Sequence, residues 1–136
     1  MNGYLNLGLL YFQLHKYFEA LYYWKNAERL YPNNPYLRNY YLAYAADLKN
    51  RAALAFNRGR MDSAAINFNT LTLLEPANAE AYFNLGGAYF NEQRYTLAKR
   101  SWDKALQLKP DYVEVKRALA MIKPEMLGMN LGALKE

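Results

Sequence analysis

The chain has 136 residues, of which 53% are hydrophobic and 21% are charged, and this balance excludes an intrinsically disordered chain. It contains no cysteine, which excludes disulfides, thiolate catalysis and cysteine-ligated metals. The formal net charge of +5 is mild, so charge alone does not indicate a nucleic-acid partner. No apolar run approaches the roughly 20 residues that span a bilayer, and a signal peptide is not evident. We therefore expect a cytoplasmic protein without a membrane span.

Two stretches of the chain repeat one pattern of small and bulky residues. The first copy contains Tyr4, Leu7, Gly8, Tyr11, Ala20, Trp24, Ala27 and Pro32, and the second contains Tyr82, Leu85, Gly86, Tyr89, Ala98, Trp102, Ala105 and Pro110. Apolar spacings of three and four predict one face of a helix, and Gly8 and Ala20 would allow two antiparallel helices to approach closely. Each copy is therefore predicted to form a helical hairpin, which needs stacked neighbours to bury both of its faces.

At these residues the sequence resembles the tetratricopeptide repeat (TPR) family. A degenerate middle copy follows the same pattern at Leu48, Arg51, Ala52, Ala55, Ala64, Phe68, Leu71 and Pro76. The resemblance implies an all-α fold, a right-handed α-solenoid of three TPR helical hairpins plus a C-terminal capping helix. The TPR domain would cover residues 1–123, with repeats at about 1–34, 45–78 and 79–112 and the capping helix at 111–123. We expect residues 124–136 to form a flexible C-terminal tail.

Ten extra residues lie between the first and middle copies. The prolines that end the copies are 34 residues apart between the middle and last copies but 44 apart between the first and middle ones. Neither glycine nor proline interrupts the chain between Pro35 and Gly59, so one long helix is predicted at about 36–57. The insert, residues 35–44, would cap the first hairpin, and the rest of the helix would open the middle repeat.

Four tyrosines lie on the insert: Tyr36, Tyr40, Tyr41 and Tyr44. Large exposed apolar patches usually mark an interface, and a long shared helix permits domain swapping. One expectation is therefore a homo-oligomer that associates through these rings. The alternative is that the amphipathic rings cover the first hairpin of the same chain.

Residue patterns that carry catalytic chemistry are not found. His15 lies in a predicted turn without a second histidine, and Ser63 has no base nearby, while Asp62 fits a helix cap. Phosphate-binding loops and the common hydrolase and zinc-protease motifs do not occur. We therefore predict no enzymatic activity, no metal site and no cofactor.

A basic stripe follows the last hairpin at Lys99, Arg100 and Lys104, flanked by Arg94 and Lys109. Binding of a nucleic acid would require aromatic side chains interleaved on the same exposed face, whereas Trp102 is assigned to the core. We interpret the stripe as a solvated surface and do not expect a nucleic-acid partner.

The resemblance implies that ligands lie in a concave groove lined by the first helix of each hairpin. Three sets of equivalent positions are predicted to line it: Asn6, Asn50 and Asn84; Phe12, Phe56 and Phe90; Gln13, Asn57 and Asn91. Carboxamides can pair with any peptide backbone, and phenyl rings supply apolar area. Family members that clamp a chaperone's C-terminal carboxylates need several cations here, and Lys49 is the one this groove offers, so a chaperone tail is not expected.

The predicted function is a non-catalytic protein–protein interaction scaffold, or adaptor, that binds a partner peptide or helix in the concave groove. The alternative is a self-assembling structural module that forms homo-oligomers, with or without domain swapping, through the tyrosine-rich long helix.

Overall fold

The computed structural model describes residues 3–128, and each regular element in that range is helical. The α-helices, in chain order, are α1 (Gly3–Gln13), α2 (Tyr17–Leu30), α3 (Pro35–Asn57), α4 (Met61–Leu74), α5 (Ala79–Asn91), α6 (Tyr95–Leu108) and α7 (Val113–Ala120). A short 3-10 helix, Pro124–Leu127, follows α7. The described residues form two compact units, 3–47 and 48–128, and the boundary between them falls inside α3.

The hairpin α1–α2 closes around a glycine and a tryptophan. Gly8 of α1 is buried against the indole of Trp24, and a Cβ added to this glycine would overlap the ring. In the hairpin α5–α6, Gly86 and Trp102 meet in the same way. In both hairpins the indole occupies the space that a side chain at the glycine would fill.

The turns between paired helices use a left-handed residue at the same place in all three hairpins. His15, Gly59 and Gln93 have φ values of 61°, 75° and 62°. Glycine adopts this conformation without a steric penalty, whereas a side chain carries a Cβ that crowds the backbone. The turn at His15 is also predicted from the sequence, but the left-handed conformation is indicated only at Gly59, where glycine is present.

Asparagine side chains begin two of the helices. Asn34 accepts hydrogen bonds from the backbone N–H groups of Tyr36 and Leu37, and Asn78 accepts one from Ala81. The expectation that Asp62 caps α4 is wrong. Its carboxylate accepts a hydrogen bond from the N–H of the adjacent Ser63 at 2.8 Å, inside the first turn.

The long helix predicted at about 36–57 is confirmed as α3, which has 23 residues. Residues 35–47 belong to the first unit, where Leu37, Tyr44 and Ala45 are buried. Residues 48–57 belong to the second unit. One continuous helix thus completes the first hairpin and opens the next, as its uninterrupted sequence indicates.

The capping helix is shorter than the predicted range 111–123, because α7 covers only Val113–Ala120. Val115 and Ala118 of this helix are buried with Trp102 in the core of the last hairpin. The helix cannot reach Lys123, because the residue before a proline is disfavoured in the α conformation, and Lys123 is extended. Residues 129–136 of the predicted tail lie outside the described part of the chain.

Candidate functional site

A cleft of about 350 Å³ lies in the second unit, between the first helices of two successive hairpins. It is lined by Lys49, Asn50 and Ala53 of α3, Phe68 and Leu71 of α4, and Asn78, Glu80, Ala81 and Asn84. Phe68 is 6% exposed and Leu71 is 1% exposed. Both side chains therefore belong to the core and border the cleft with their outermost atoms. The cleft therefore has an apolar floor and mostly polar walls.

Two of the predicted groove residues, Asn50 and Asn84, line this one cleft from α3 and α5. Asn50 is exposed and Asn84 is half-buried. Each carboxamide can donate two hydrogen bonds and can also accept. A peptide backbone that entered the cleft would present matching groups to both side chains.

The charged side chains along the cleft are one lysine and two glutamates. Lys49 forms an ion pair with Glu75, with Nζ and Oε1 3.5 Å apart. Asn78 also donates to Oε1 of Glu75 at 2.9 Å, which fixes this carboxylate beside the lysine. Glu80 adds a further negative charge to the lining. An anionic ligand would meet one lysine that already has a partner, and a carboxylate that repels it.

Asn6, the third predicted asparagine, lies in the first unit, where it lines a different cleft of about 230 Å³ with Leu5, Tyr36 and Tyr40. The three asparagines are therefore distributed over both units.

The phenyl rings predicted to line the groove pack against other residues of the chain. Phe12 packs edge-on against Tyr17 and Tyr44, with ring centroids 5.6 Å apart in each pair. Phe90 lies 5.7 Å from the indole of Trp102. Phe56 lies over Gly87, because a Cβ there would be 3.8 Å from its ring. All three rings are half-buried by residues of the same chain.

The second predicted row of amides, Gln13, Asn57 and Asn91, lies at the C-terminal ends of α1, α3 and α5. All three residues are exposed. Asn91 is within 3.8 Å of the sulfur of Met61 through its Nδ2 atom. None of the three lines the cleft between α3 and α5.

Three of the four tyrosines predicted to associate with a second chain pack on their own hairpin. Tyr44 is 0% exposed, and the ring of Tyr40 stacks on Trp24 at 5.5 Å. The hydroxyl of Tyr41 donates a 2.8 Å hydrogen bond to Glu28 of α2. Tyr36, by contrast, is 62% exposed. For these three rings the alternative expectation describes the structure, because Trp24 presents its face to Tyr40 and its edge to Tyr41 and Tyr44.

Sequence reasoning missed several residues of the cleft. Phe68 and Leu71 were assigned only to the repeat pattern, although their outer surfaces form the floor. Glu80 precedes Asn84 by one helical turn, so both point to the same side of α5. That i, i+4 spacing is the signal that could have identified the carboxylate.

Other candidate features of the sequence have structural explanations. The Nδ1 atom of His15 is 2.7 Å from the hydroxyl of Tyr17, and no group of three or more potential metal ligands occurs within residues 3–128. Lys99 of the basic stripe pairs with Asp103 at 2.7 Å, and Trp102 is 3% exposed. Of the helices in the described range, none has both the length and the apolar character that a membrane span requires.

Successive hairpins with a cleft along their first helices define a helical-repeat protein. Models of the tetratricopeptide repeat match residues 2–34 and 79–112, and the chain belongs to the tetratricopeptide repeat family. The predicted class, an α-solenoid of TPR hairpins, is confirmed by these matches together with the all-helical structure.

The chain is similar to proteins of known role. It is 34% identical over 70 residues to the Hsp70-Hsp90 organizing protein of Triticum aestivum, a match that covers 52% of this chain and 12% of that protein. It is 31% identical over 77 residues to the small glutamine-rich tetratricopeptide repeat-containing protein 2 of Mycosarcoma maydis, covering 57% of this chain and 22% of that one. The matches therefore span less than a quarter of either relative.

A solved structure shares the fold over most of the chain. It is the first TPR of Spaghetti (RPAP3) bound to the HSP90 peptide SRMEEVD, with a TM-score of 0.52 and 28% identity. The similarity covers 86% of this chain and 87% of that one.

Proposed function

We propose that the chain is a non-catalytic scaffold that holds an extended peptide segment of a partner protein in the cleft between α3 and α5. The observation that carries this proposal is the joint lining of one cleft by Asn50 and Asn84, above an apolar floor of Phe68 and Leu71. The carboxamides would pair with the peptide backbone and set its register. The floor would receive an apolar side chain of the ligand and supply affinity.

Similarity to an Hsp70-Hsp90 organizing protein, and to a TPR structure with a bound HSP90 peptide, supports a peptide as the class of ligand. Self-assembly through the tyrosines of α3 gains no such support, because Tyr40, Tyr41 and Tyr44 pack on the first hairpin of the same chain.

The direct test begins with selection of a binding peptide from a random peptide library displayed on phage. Affinity of the selected synthetic peptide is then measured for the wild type, for Asn50→Ala/Asn84→Ala, and for Asn69→Ala. Asn69 is an exposed asparagine on α4 that does not line the cleft, so it is the matched control. We expect the double variant to lose at least about tenfold in affinity and the control to keep it, since each lost hydrogen bond weakens binding.

Circular dichroism of the double variant must first match that of the wild type. Equal peptide affinities for the double variant and the wild type would contradict the proposal. A loss shared with Asn69→Ala would also contradict it, because the effect would then not belong to the cleft.

The charge of the cleft predicts poor binding of an acidic peptide. The peptide SRMEEVD, which the structural neighbour binds, should bind this chain weakly because Lys49 is paired and Glu80 repels carboxylates. Glu80→Lys should raise its affinity about two- to fivefold at low salt, an effect that added salt should reduce. Glu114→Lys on α7 makes the same charge change away from the cleft and serves as the control.

Fluorescence polarisation with the labelled peptide measures these affinities. Tight binding of SRMEEVD to the wild type would contradict the claim that the charges of the cleft disfavour an acidic peptide. An equal gain in affinity for both lysine variants would contradict it as well.

A further inference from the structure

The cleft between α3 and α5 contains a carboxylate that the described part of the chain leaves unpaired. Lys49 and Asn78 both bind Glu75, at 3.5 Å and 2.9 Å. Glu80, by contrast, is exposed and makes no ion pair or side-chain hydrogen bond within residues 3–128. A ligand that entered the cleft would therefore meet the charge of Glu80 directly.

The first unit contains a smaller cleft that is built from equivalent positions of the repeat. It is lined by Leu5, Asn6, Tyr36 and Tyr40, which lie 44 residues before Lys49, Asn50, Glu80 and Asn84 of the larger cleft. Both clefts have an asparagine at the second of these positions. The lysine and the glutamate of the larger cleft correspond to a leucine and a tyrosine in the smaller one. The carboxamide is thus common to the two clefts, and the charge is particular to the second unit.

This difference separates two tasks of a peptide-binding cleft. A carboxamide pairs with the backbone of any peptide, so it does not distinguish one sequence from another. Charged side chains on the wall do distinguish sequences, because they attract one sign of charge and repel the other. With one lysine and two glutamates, the cleft has an excess of one negative charge, although the whole chain has a net charge of +5.

We propose that the peptide segment held in this cleft is basic, and that one of its lysine or arginine side chains forms an ion pair with Glu80. The inference rests on the proposed function, since it assigns a side chain to the peptide whose backbone the asparagines bind. Lys49 stays with Glu75 when the ligand enters, so it does not compete for Glu80. The cation of the ligand supplies the partner that Glu80 lacks.

Selection from a random peptide library displayed on phage tests this composition. The wild type, Glu80→Gln and Glu114→Gln are used as baits in parallel. Glu114 lies in the first turn of α7, at the place that Glu80 has in α5, but it does not line the cleft. Its substitution therefore makes the same change in net charge and in the charge near a helix N-terminus. We expect the wild type and Glu114→Gln to select peptides enriched in lysine and arginine, and Glu80→Gln to lose this enrichment.

A double-mutant cycle then tests the ion pair itself. One peptide selected on the wild type is synthesised together with an analogue in which methionine replaces each basic residue. Fluorescence polarisation measures both against the wild type, Glu80→Gln and Glu114→Gln, after circular dichroism has shown that the variants remain folded. We expect Glu80→Gln to weaken binding of the basic peptide about two- to fivefold at low salt and to leave binding of the analogue unchanged. Glu114→Gln should change neither affinity, and added salt should reduce the effect of Glu80→Gln.

The outcomes separate this inference from the proposed function. Selected peptides that lack the enrichment, or an enrichment that Glu80→Gln retains, would overturn the basic ligand. The proposed function would still hold if those peptides lost affinity for Asn50→Ala/Asn84→Ala. A library that yielded no binding peptide, or only peptides insensitive to that double variant, would overturn both.

Discussion

Two adjacent glycines of α5 have opposite roles in packing. A Cβ on Gly86 would overlap the indole of Trp102, whereas a Cβ on Gly87 would be 3.8 Å from the ring of Phe56, an ordinary contact distance. The indole cannot retreat easily, because its Nε1 donates a 2.9 Å hydrogen bond to the carbonyl oxygen of Phe83. The third hairpin therefore requires glycine at position 86 and tolerates a side chain at position 87.

We expect Gly86→Ala to lower the free energy of unfolding by about 1–2 kcal/mol, because overpacking outweighs the better helix propensity of alanine. Gly87→Ala should raise it by about 0.5–1 kcal/mol through helix propensity alone. Urea denaturation of both variants measures the difference. Equal effects of the two substitutions would contradict the assigned role of Trp102.

Equivalent positions in the repeats predict which side chains have the same location in each hairpin, but not which neighbouring side chains cover them. The pairs of glycine and tryptophan were predictable, because both residues recur at fixed spacing in two copies. The packing of Phe12 against Tyr17 recurs as Phe90 against Tyr95. The packing of Phe12 against Tyr44 was not predictable, since that ring comes from the insert, which the other hairpins lack. The repeat pattern predicts contacts within the repeated part of the structure, but not the contacts that the insert makes.

At the scale of the elements, a partly buried hydrogen bond joins the first part of α3 to α2. Tyr41 is half-buried and donates to Glu28 at 2.8 Å. Burial, followed by the hydrogen bond to Glu28 and the charge of that carboxylate, raises the pKa of Tyr41 well above its ordinary value of 10.0. The phenol is therefore neutral in the folded chain at a pH where it ionises in the unfolded chain.

This raised pKa predicts a loss of stability in alkali. Below pH 10 the hydrogen bond contributes fully, and above pH 10 the unfolded state loses its proton first, so the free energy of unfolding falls as pH rises. Tyr41→Phe should cost about 1 kcal/mol at pH 7 and should make the decline above pH 10 shallower. Thermal or urea unfolding of both proteins from pH 7 to 11 measures this, and parallel curves would contradict it.

The sequence predicts α3 well and α7 less well, for identifiable reasons. Proline and glycine bracket α3 at Pro35 and Gly59, and Asn34 caps its first turn, so its bounds follow from local chemistry. The end of α7 depends on Pro124, which lies four residues beyond the last helical position. Its start depends on packing of Val115 against the last hairpin, which a local pattern does not determine.

At the scale of the whole molecule, two units carry different surfaces. The first unit contains α1, which has no charged residue, and the second contains the cleft with its carboxamides, one lysine and two glutamates. Asn50 and Asn84 were predictable as groove residues from their equivalent positions in two repeats. Their apolar floor was not, because the sequence pattern assigns Phe68 and Leu71 to the core and does not show that they also border the cleft.

The measurement that tests the central claim most directly is a nuclear magnetic resonance titration of the chain with the library-selected peptide. Side-chain amide signals of Asn50 and Asn84 report the cleft, and those of Asn69 report a surface outside it. We predict that the signals of Asn50 and Asn84 shift together with one dissociation constant, while that of Asn69 does not move. Shifts confined to residues outside the cleft, with both asparagine signals unchanged at saturation, would contradict the assignment of the cleft as the peptide-binding site.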